Sequence, residues 1–136
     1  MSLIEIEQRF TTLKDDYNAR LESLTTLAKQ YLNQKIIELF TEDHDDNLDS
    51  ISWTQYYTPS WDDGDIYEFV VNDLEWEGNL SWNEMKNQTF FPQYQEINKF
   101  IQNNPEIMEC MFGDYQRITI AKETPDVFVL EDYYDN

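Results

Sequence analysis

Two side chains in this chain are of the type that performs or activates nucleophilic attack, the single histidine His44 and the single cysteine Cys110. His44 lies in an acidic segment and Cys110 in an apolar helical pattern, and no motif pairs them. The glycines Gly64, Gly78 and Gly113 are isolated, so no phosphate-binding loop is present, and zinc-type CxxC or HExxH spacings are absent. We therefore expect a protein that is not an enzyme and has no cofactor, with Cys110 a small core residue.

Carboxylates could instead bind a hard cation. Acidic and amide side chains alternate through residues 43–49, as in the first half of a calcium-binding loop. The sixth position of that loop needs glycine and holds Leu48, and the twelfth needs glutamate and holds Thr54. Residues 62–65, "DDGD", gather further acids at a turn. The sequence predicts no dedicated metal site, and divalent-metal binding at these loops remains an alternative function.

Net charge is the strongest compositional feature. The chain has 28 acidic and nine basic residues among 136, a formal charge of -19. Residues 1–35 are balanced, so the whole excess lies in residues 36–136. Direct contact with nucleic acid needs lysine and arginine, and an anionic membrane would repel this surface. We expect a basic protein partner, no direct nucleic acid and no membrane.

A helical pattern occupies residues 1–40, which contain no proline or glycine. Its apolar stripe begins with a 3-4-3-4 spacing and then steps by four. The members are Leu3, Ile6, Phe10, Leu13, Tyr17, Leu21, Leu24, Ala28, Leu32, Ile36 and Leu39. An unbroken helix of this length would extend for about 60 Å, longer than a domain of this size is wide. We expect it to break near residues 14–20 into an antiparallel pair, to project and form a homodimer, or to cover the sheet.

The remaining sequence alternates between strand and helix patterns. Strands are predicted at 51–57 and 65–71, a strand or ordered loop at 72–82, helices after Ser81, Pro92 and Pro105, and a hairpin over 115–132. The fold class is α+β: a long N-terminal helix, an antiparallel sheet of four or five strands from two hairpins, and further short helices between them. A single domain is expected, with a helical segment at 1–40, a hairpin–helix–hairpin core at 50–132 and an acidic tail at 133–136. The absence of a long apolar run or a leader pattern, together with a lone cysteine, favours a soluble cytoplasmic protein.

Acids interleaved with tryptophan and tyrosine suggest a protein-binding surface. Carboxylates attract and pair with arginine or lysine, while aromatic side chains supply buried contact area. The predicted contact set is Trp61, Asp62, Asp63, Asp65, Glu75, Trp76 and Glu77. Electrostatic steering is assigned to Asp43, Asp45, Asp46 and Asp49.

The residues from Trp53 to Asp65, "WTQYYTPSWDDGD", followed by "IYEF", resemble a block found in small uncharacterised proteins of phages and bacteria. In charge and size the chain also resembles the small acidic proteins with which phages block host restriction, CRISPR or other nucleic-acid enzymes. That resemblance implies an inhibitor that mimics DNA and acts in the host cytoplasm as an anti-restriction or other anti-defence factor. An immunity or antitoxin protein that neutralises a basic toxin is the alternative.

Overall fold

A computed structural model of the chain describes residues 1–58 and 68–133, and it confirms the predicted α+β fold. The elements in chain order are α1 (Leu3–Glu42), β1 (Leu48–Thr58), β2 (Glu68–Val71), β3 (Glu75–Gly78), α2 (Trp82–Lys86), α3 (Phe91–Asn103), α4 (Pro105–Phe112), β4 (Gln116–Ala121) and β5 (Val129–Asp132). Residues 72–82 thus contain a third strand as well as the start of α2. The predicted acidic tail lies outside the described residues except for Tyr133.

Helix α1 is continuous, so of the predicted alternatives the break near residues 14–20 is wrong. Ser2 caps its first turn by accepting a hydrogen bond from the Glu5 N–H (3.2 Å), and the helix ends at Asp43, whose N–H donates to the Leu39 carbonyl. Every residue from 1 to 20 is exposed, and the first buried position is Ala28. The N-terminal half of α1 therefore projects from the rest of the protein.

The C-terminal half of α1 packs onto α3 and α4. Leu32 and Ile36 are fully buried in the same core as the sheet residues. Phe100 of α3 stacks on Tyr31, with ring centroids 4.5 Å apart, and Lys35 forms an ion pair with Glu96 at 2.6 Å. The C-terminal half of α1 is thus packed into the core on one face, whereas its N-terminal half is exposed to solvent.

Strand β1 lies at the centre of a fully antiparallel sheet with the order β2-β1-β4-β5. Strand β3 pairs with the beginning of β1, on the edge that β2 occupies further along, so residues 68–78 form one interrupted edge. Both predicted hairpins are present, and the pairing of β1 with β4 joins them through the register Trp53 with Ile118.

The two faces of the sheet differ in chemistry. On the helix-covered face, Ile51, Trp53, Ile118 and Ile120 are completely buried. Gln55 is buried among them and is fully bonded: its Nε2 donates to the carbonyls of Met108 and Gly113, and its Oε1 accepts from Trp53 Nε1. On the other face the described strands present Ser, Thr, Glu and Arg side chains together with Tyr56, because strand residues alternate between faces.

The boundaries of the short helices α2, α3 and α4 coincide with capping residues, prolines and a glycine in the sequence. Ser81 and Glu84 form a complete capping box at α2, and prolines begin α3 and α4. Gly113 ends α4 with φ of 85°, a backbone conformation that favours glycine. Cys110 within α4 is exposed, so the expectation that it belongs to the core is wrong.

Candidate functional site

The acidic loop between α1 and β1 is built around Asp43, which is 3% exposed. Its Oδ1 accepts from the Asn47 N–H (3.0 Å), and its Oδ2 accepts from the Leu48 N–H (2.8 Å) and from Lys122 Nζ (3.0 Å). Burial alone would raise the pKa of this carboxyl, but these hydrogen bonds outweigh it and hold the pKa below its usual value. Asp43 therefore shapes the loop from within and is not accessible for steering a partner.

Lys122, in the turn after β4, holds the loop against the end of the strand that neighbours β1. Besides the Asp43 carboxylate, its Nζ donates to the Asp43 carbonyl (2.9 Å) and to Asp46 Oδ1 (2.6 Å). Desolvation disfavours the charged amine, but the bonds to Asp46 and Asp43 prevail and raise the pKa of Lys122. Asp46 adopts a positive φ of 52°, so its backbone is held in a conformation that few non-glycine residues adopt.

Gly78, at the end of β3, allows the loop between α1 and β1 to lie directly against the backbone of β3. The Asn79 N–H donates to the Asn47 carbonyl at 2.9 Å. A Cβ at position 78 would lie only 2.0 Å from that carbonyl oxygen, so a larger residue would displace the loop. The loop, β3 and the turn after β4 are consequently held together at one end of the sheet.

Six exposed carboxylates surround this point, and we call the group the acidic end. Its members are Asp45, Asp46, Asp49, Glu77, Glu123 and Asp126. Their proximity follows from the pairing: Ser50 of β1 lies opposite both Glu77 and Ala121, and the Lys122 N–H donates to the Asp49 carbonyl. Among the described residues at this end, Lys122 is the basic residue, and its charge is engaged by Asp43 and Asp46.

Glu75 extends the acidic end along the open face of the sheet. It lies two residues before Glu77 on β3, so both side chains point to the same face about 7 Å apart. Arg117 of β4 forms a long ion pair with Glu75 (3.7 Å) and also lies over the ring of Tyr133. Because both partners are substantially exposed, this ion pair leaves Glu75 accessible to solvent.

Trp76 does not share a surface with its acidic neighbours. Alternation along β3 directs it to the helix-covered face, where it is half-buried against Trp82 and Tyr94 with ring centroids 5.6 and 5.7 Å away. Its Nε1 donates to the Leu80 carbonyl. The predicted grouping of Trp76 with Glu75 and Glu77 on one contact surface is therefore corrected.

The more accessible tryptophan in the described residues is Trp82, which is half-exposed at the start of α2. Lys86 Nζ lies 5.2 Å from the centroid of its ring. A groove of about 390 Å³ runs beside it, lined by Trp82, Lys86, Phe91, Tyr94, Gln95, Asn98 and Lys99. This aromatic and basic groove differs in chemistry from the acidic end.

The structure therefore unites part of the predicted contact set. Asp45, Asp46, Asp49 and Glu77 come together, and Glu75 adjoins them. Trp61, Asp62, Asp63 and Asp65 lie outside the described residues. Sequence reasoning missed Glu123 and Asp126, because their position depends on the pairing of β4 with β1.

The described residues contain no group of three or more histidine, cysteine, aspartate or glutamate side chains arranged to hold a metal ion. Cys110 also differs from an activated thiol, because desolvation and the carboxylates of Glu109 and Glu106 raise its pKa. Tyr57 donates to both carboxylate oxygens of Glu109 (2.6 and 2.7 Å), which raises the pKa of its phenol to about 12. Tyr57 and Glu109 therefore form a hydrogen-bonded pair within the fold.

No protein-family model, no curated protein and no solved structure matches this chain. Across the described residues, no helix combines the length and apolar character needed to cross a membrane. The charge and geometry of the acidic end are therefore the features from which a function can be inferred.

Proposed function

We propose that the protein is a non-enzymatic binding protein whose acidic end occupies a basic, nucleic-acid-binding surface on another protein, as a phage-encoded DNA mimic directed against host defence would do. The observation that carries this proposal is the grouping of six exposed carboxylates around one engaged lysine. A surface of this kind attracts clustered lysine and arginine, and repels nucleic acid itself.

The acidic end also has the rigidity that such a role requires. The Asp43 carboxylate, the Lys122 amine and the close approach at Gly78 fix the loop backbone before any partner binds. A preformed array loses little conformational entropy on binding, so more of the electrostatic attraction is available as affinity. Glu75 and Glu77 lie on a strand, whose regular spacing holds their carboxylates at a constant separation.

The experiment compares two variants with the same change in net charge. The first, Asp45→Asn, Asp49→Asn and Glu77→Gln, removes three charges from the acidic end. The matched control, Glu5→Gln, Asp15→Asn and Glu22→Gln, removes three from exposed positions on the projecting half of α1. Each protein is immobilised and exposed to nuclease-treated bacterial lysate at low and high salt, and duplex DNA is added as competitor.

The proposal expects a basic protein that is released by salt and displaced by duplex DNA. The acidic-end variant should bind it at least ~10-fold more weakly, while the control variant should retain most of the affinity, because electrostatic complementarity is local within a Debye length. An equal loss in both variants would indicate attraction to bulk charge and would contradict the proposal. So would the absence of a salt-sensitive partner, or a partner that duplex DNA does not displace.

A further inference from the structure

The projecting half of α1 carries the exposed part of the apolar stripe, ahead of the part that packs into the core. Its members repeat every seven residues and are between 50% and 71% exposed: Leu3, Ile6, Phe10, Leu13, Tyr17, Leu24 and Leu27. We call this stripe the seam. Arg20 holds the one polar position in the repeat. The buried part of the stripe begins at Ala28 and continues through Leu32 and Ile36, where its four-residue steps turn it gradually around the helix.

A strict seven-residue apolar repeat is the pattern of a left-handed coiled coil. The body of the protein supplies little cover for the seam: Tyr17 donates its hydroxyl to Glu106 of α4 at 2.6 Å, yet is still 54% exposed. A row of seven large apolar side chains exposed along one helix marks a protein interaction surface. We propose that a second copy of this chain covers the seam from Leu3 to Arg20, in an antiparallel two-helix coiled coil formed by the two projecting halves.

The charges beside the seam determine the orientation. Glu7 and Lys14 lie along one flank, and Arg9 and Asp16 lie along the other. In an antiparallel pair each flank meets the same flank of the partner. With Phe10 packed against the partner's Leu13, Arg9 faces the partner's Asp16 and Glu7 faces the partner's Lys14. Two-fold symmetry repeats each pair, so all four contacts join opposite charges.

The other arrangements place like charges together. Shifting the antiparallel register by one heptad in one direction brings Lys14 to the partner's Lys14, and in the other direction brings Glu7 to the partner's Glu7. In a parallel pair opposite flanks meet, so Arg9 faces the partner's Lys14 on both sides. One antiparallel register therefore satisfies every flanking charge.

The net charge of residues 28–136, which we call the body, also favours the antiparallel arrangement. The acidic excess lies entirely in residues 36–136, so two parallel copies would place two strongly acidic bodies side by side. In the antiparallel register the two Ala28 residues, at which each helix enters its body, lie about 50 Å apart along the coiled coil. That separation is several times the Debye length of about 8 Å at physiological salt. The projecting half, with a formal charge of only -2 over residues 1–27, can thus associate while most of each acidic body stays distant from the other.

The test measures molar mass by sedimentation over a range of concentrations. Wild type should form a concentration-dependent dimer, and Leu13→Glu should remain monomeric while Gln8→Glu, which adds the same charge on the opposite face, should dimerise. Arg9→Glu should weaken the dimer by ~10-fold, because it places a glutamate opposite the partner's Asp16. The double variant Arg9→Glu, Asp16→Lys should restore it. Circular dichroism should show that each variant keeps its helix content.

The Arg9→Glu variant distinguishes an antiparallel from a parallel pair of helices. In a parallel dimer this variant would create an attractive pair with the partner's Lys14 and strengthen association, which would overturn the antiparallel arrangement. A wild-type chain that stays monomeric at every concentration, or dimers that survive Leu13→Glu, would overturn the inference entirely. The inference is independent of the proposed function, because the seam and the acidic end share no residue.

Discussion

The two halves of α1 have similar sequence patterns and different environments. Leu13 in the projecting half is 67% exposed, whereas Leu32 in the packed half is completely buried. Both belong to apolar stripes of helical period, and no helix-breaking residue separates them. The pattern indicates that a face is to be covered, but it does not specify whether the cover belongs to the same chain or to another.

Charge separates the same two regions. The projecting half, residues 1–27, contains five acidic and three basic residues, a formal charge of -2, whereas the body holds the rest of the total of -19. A nearly balanced surface with an apolar seam suits association with a copy of itself, while a strongly acidic surface repels a copy and attracts a basic protein. The difference indicates that one molecule can combine self-association with recognition of a basic partner at separate surfaces.

The largest expected difference is in how much a leucine-to-alanine substitution in each half of α1 lowers the free energy of unfolding. Leu32→Ala removes a fully buried side chain and should lower the free energy of unfolding by about 2–5 kcal/mol, because it leaves a cavity in the core. Leu13→Ala removes the same atoms from an exposed position in the same helix and should change it by less than about 0.5 kcal/mol in the monomer. Urea unfolding at low protein concentration measures both.

The pair of leucine variants contains its own control, since the helix, the residue types and the propensities are identical. Comparable losses for both would mean that the projecting half is packed against the body in solution. That result would remove the basis for treating the two halves differently.

Local signals predicted much of the fold. The capping spacings at Ser2 and Ser81, the prolines at 92 and 105, and Gly113 each mark a helix boundary that the structure contains. These signals act within a few residues, so they can be interpreted without knowing the tertiary structure. The length of α1 left a break, a projecting helix or a helix packed on the sheet as alternatives, because sequence period alone does not distinguish a packed face from an exposed one. The structure shows one continuous helix whose N-terminal half projects.

The acidic end could be predicted only in part, since it depends on contacts between distant residues. Lys122 reaches Asp43 across 79 positions of sequence, and this contact converts a predicted steering acid into a buried structural one. Glu123 and Asp126 join the end only because β4 pairs with β1. Trp76 was misplaced for a local reason, namely that the alternation in residues 72–82 was too weak to identify β3 as a strand.

A smaller loss of stability is expected when the ion pair between Lys122 and Asp43 is removed. Lys122→Met should lower the free energy of unfolding by about 1–3 kcal/mol, because it leaves the buried Asp43 carboxylate with backbone partners alone. Lys99→Met is the matched control: it removes the same charge from an exposed side chain that forms no ion pair within residues 1–58 and 68–133. Urea unfolding compares the two, and hydrogen exchange of the Asn47 and Leu48 amides reports on the loop.

Equal stability of the two lysine variants would contradict a structural role for Lys122. It would also indicate that the acidic end is held by Gly78 and the strands, without the lysine. Faster exchange at Asn47 and Leu48 only in Lys122→Met is the expected pattern.

The smallest effect concerns how the Asp43 contacts depend on pH. The pKa of Asp43 is lower in the folded state than in the unfolded chain, where it is about 4. The stability that it contributes is therefore fully present above pH 4 and is lost as pH falls through the folded pKa. Asp43→Asn lacks this titration, so its stability deficit relative to wild type should be constant near neutral pH and should shrink below pH 4. The other carboxylates titrate in both proteins and cancel in the difference, which urea unfolding at successive pH values measures. A deficit that stays constant or grows in acid would mean that Asp43 is not ionised in its buried position, and the loop would then owe its shape to hydrogen bonds of a neutral carboxyl.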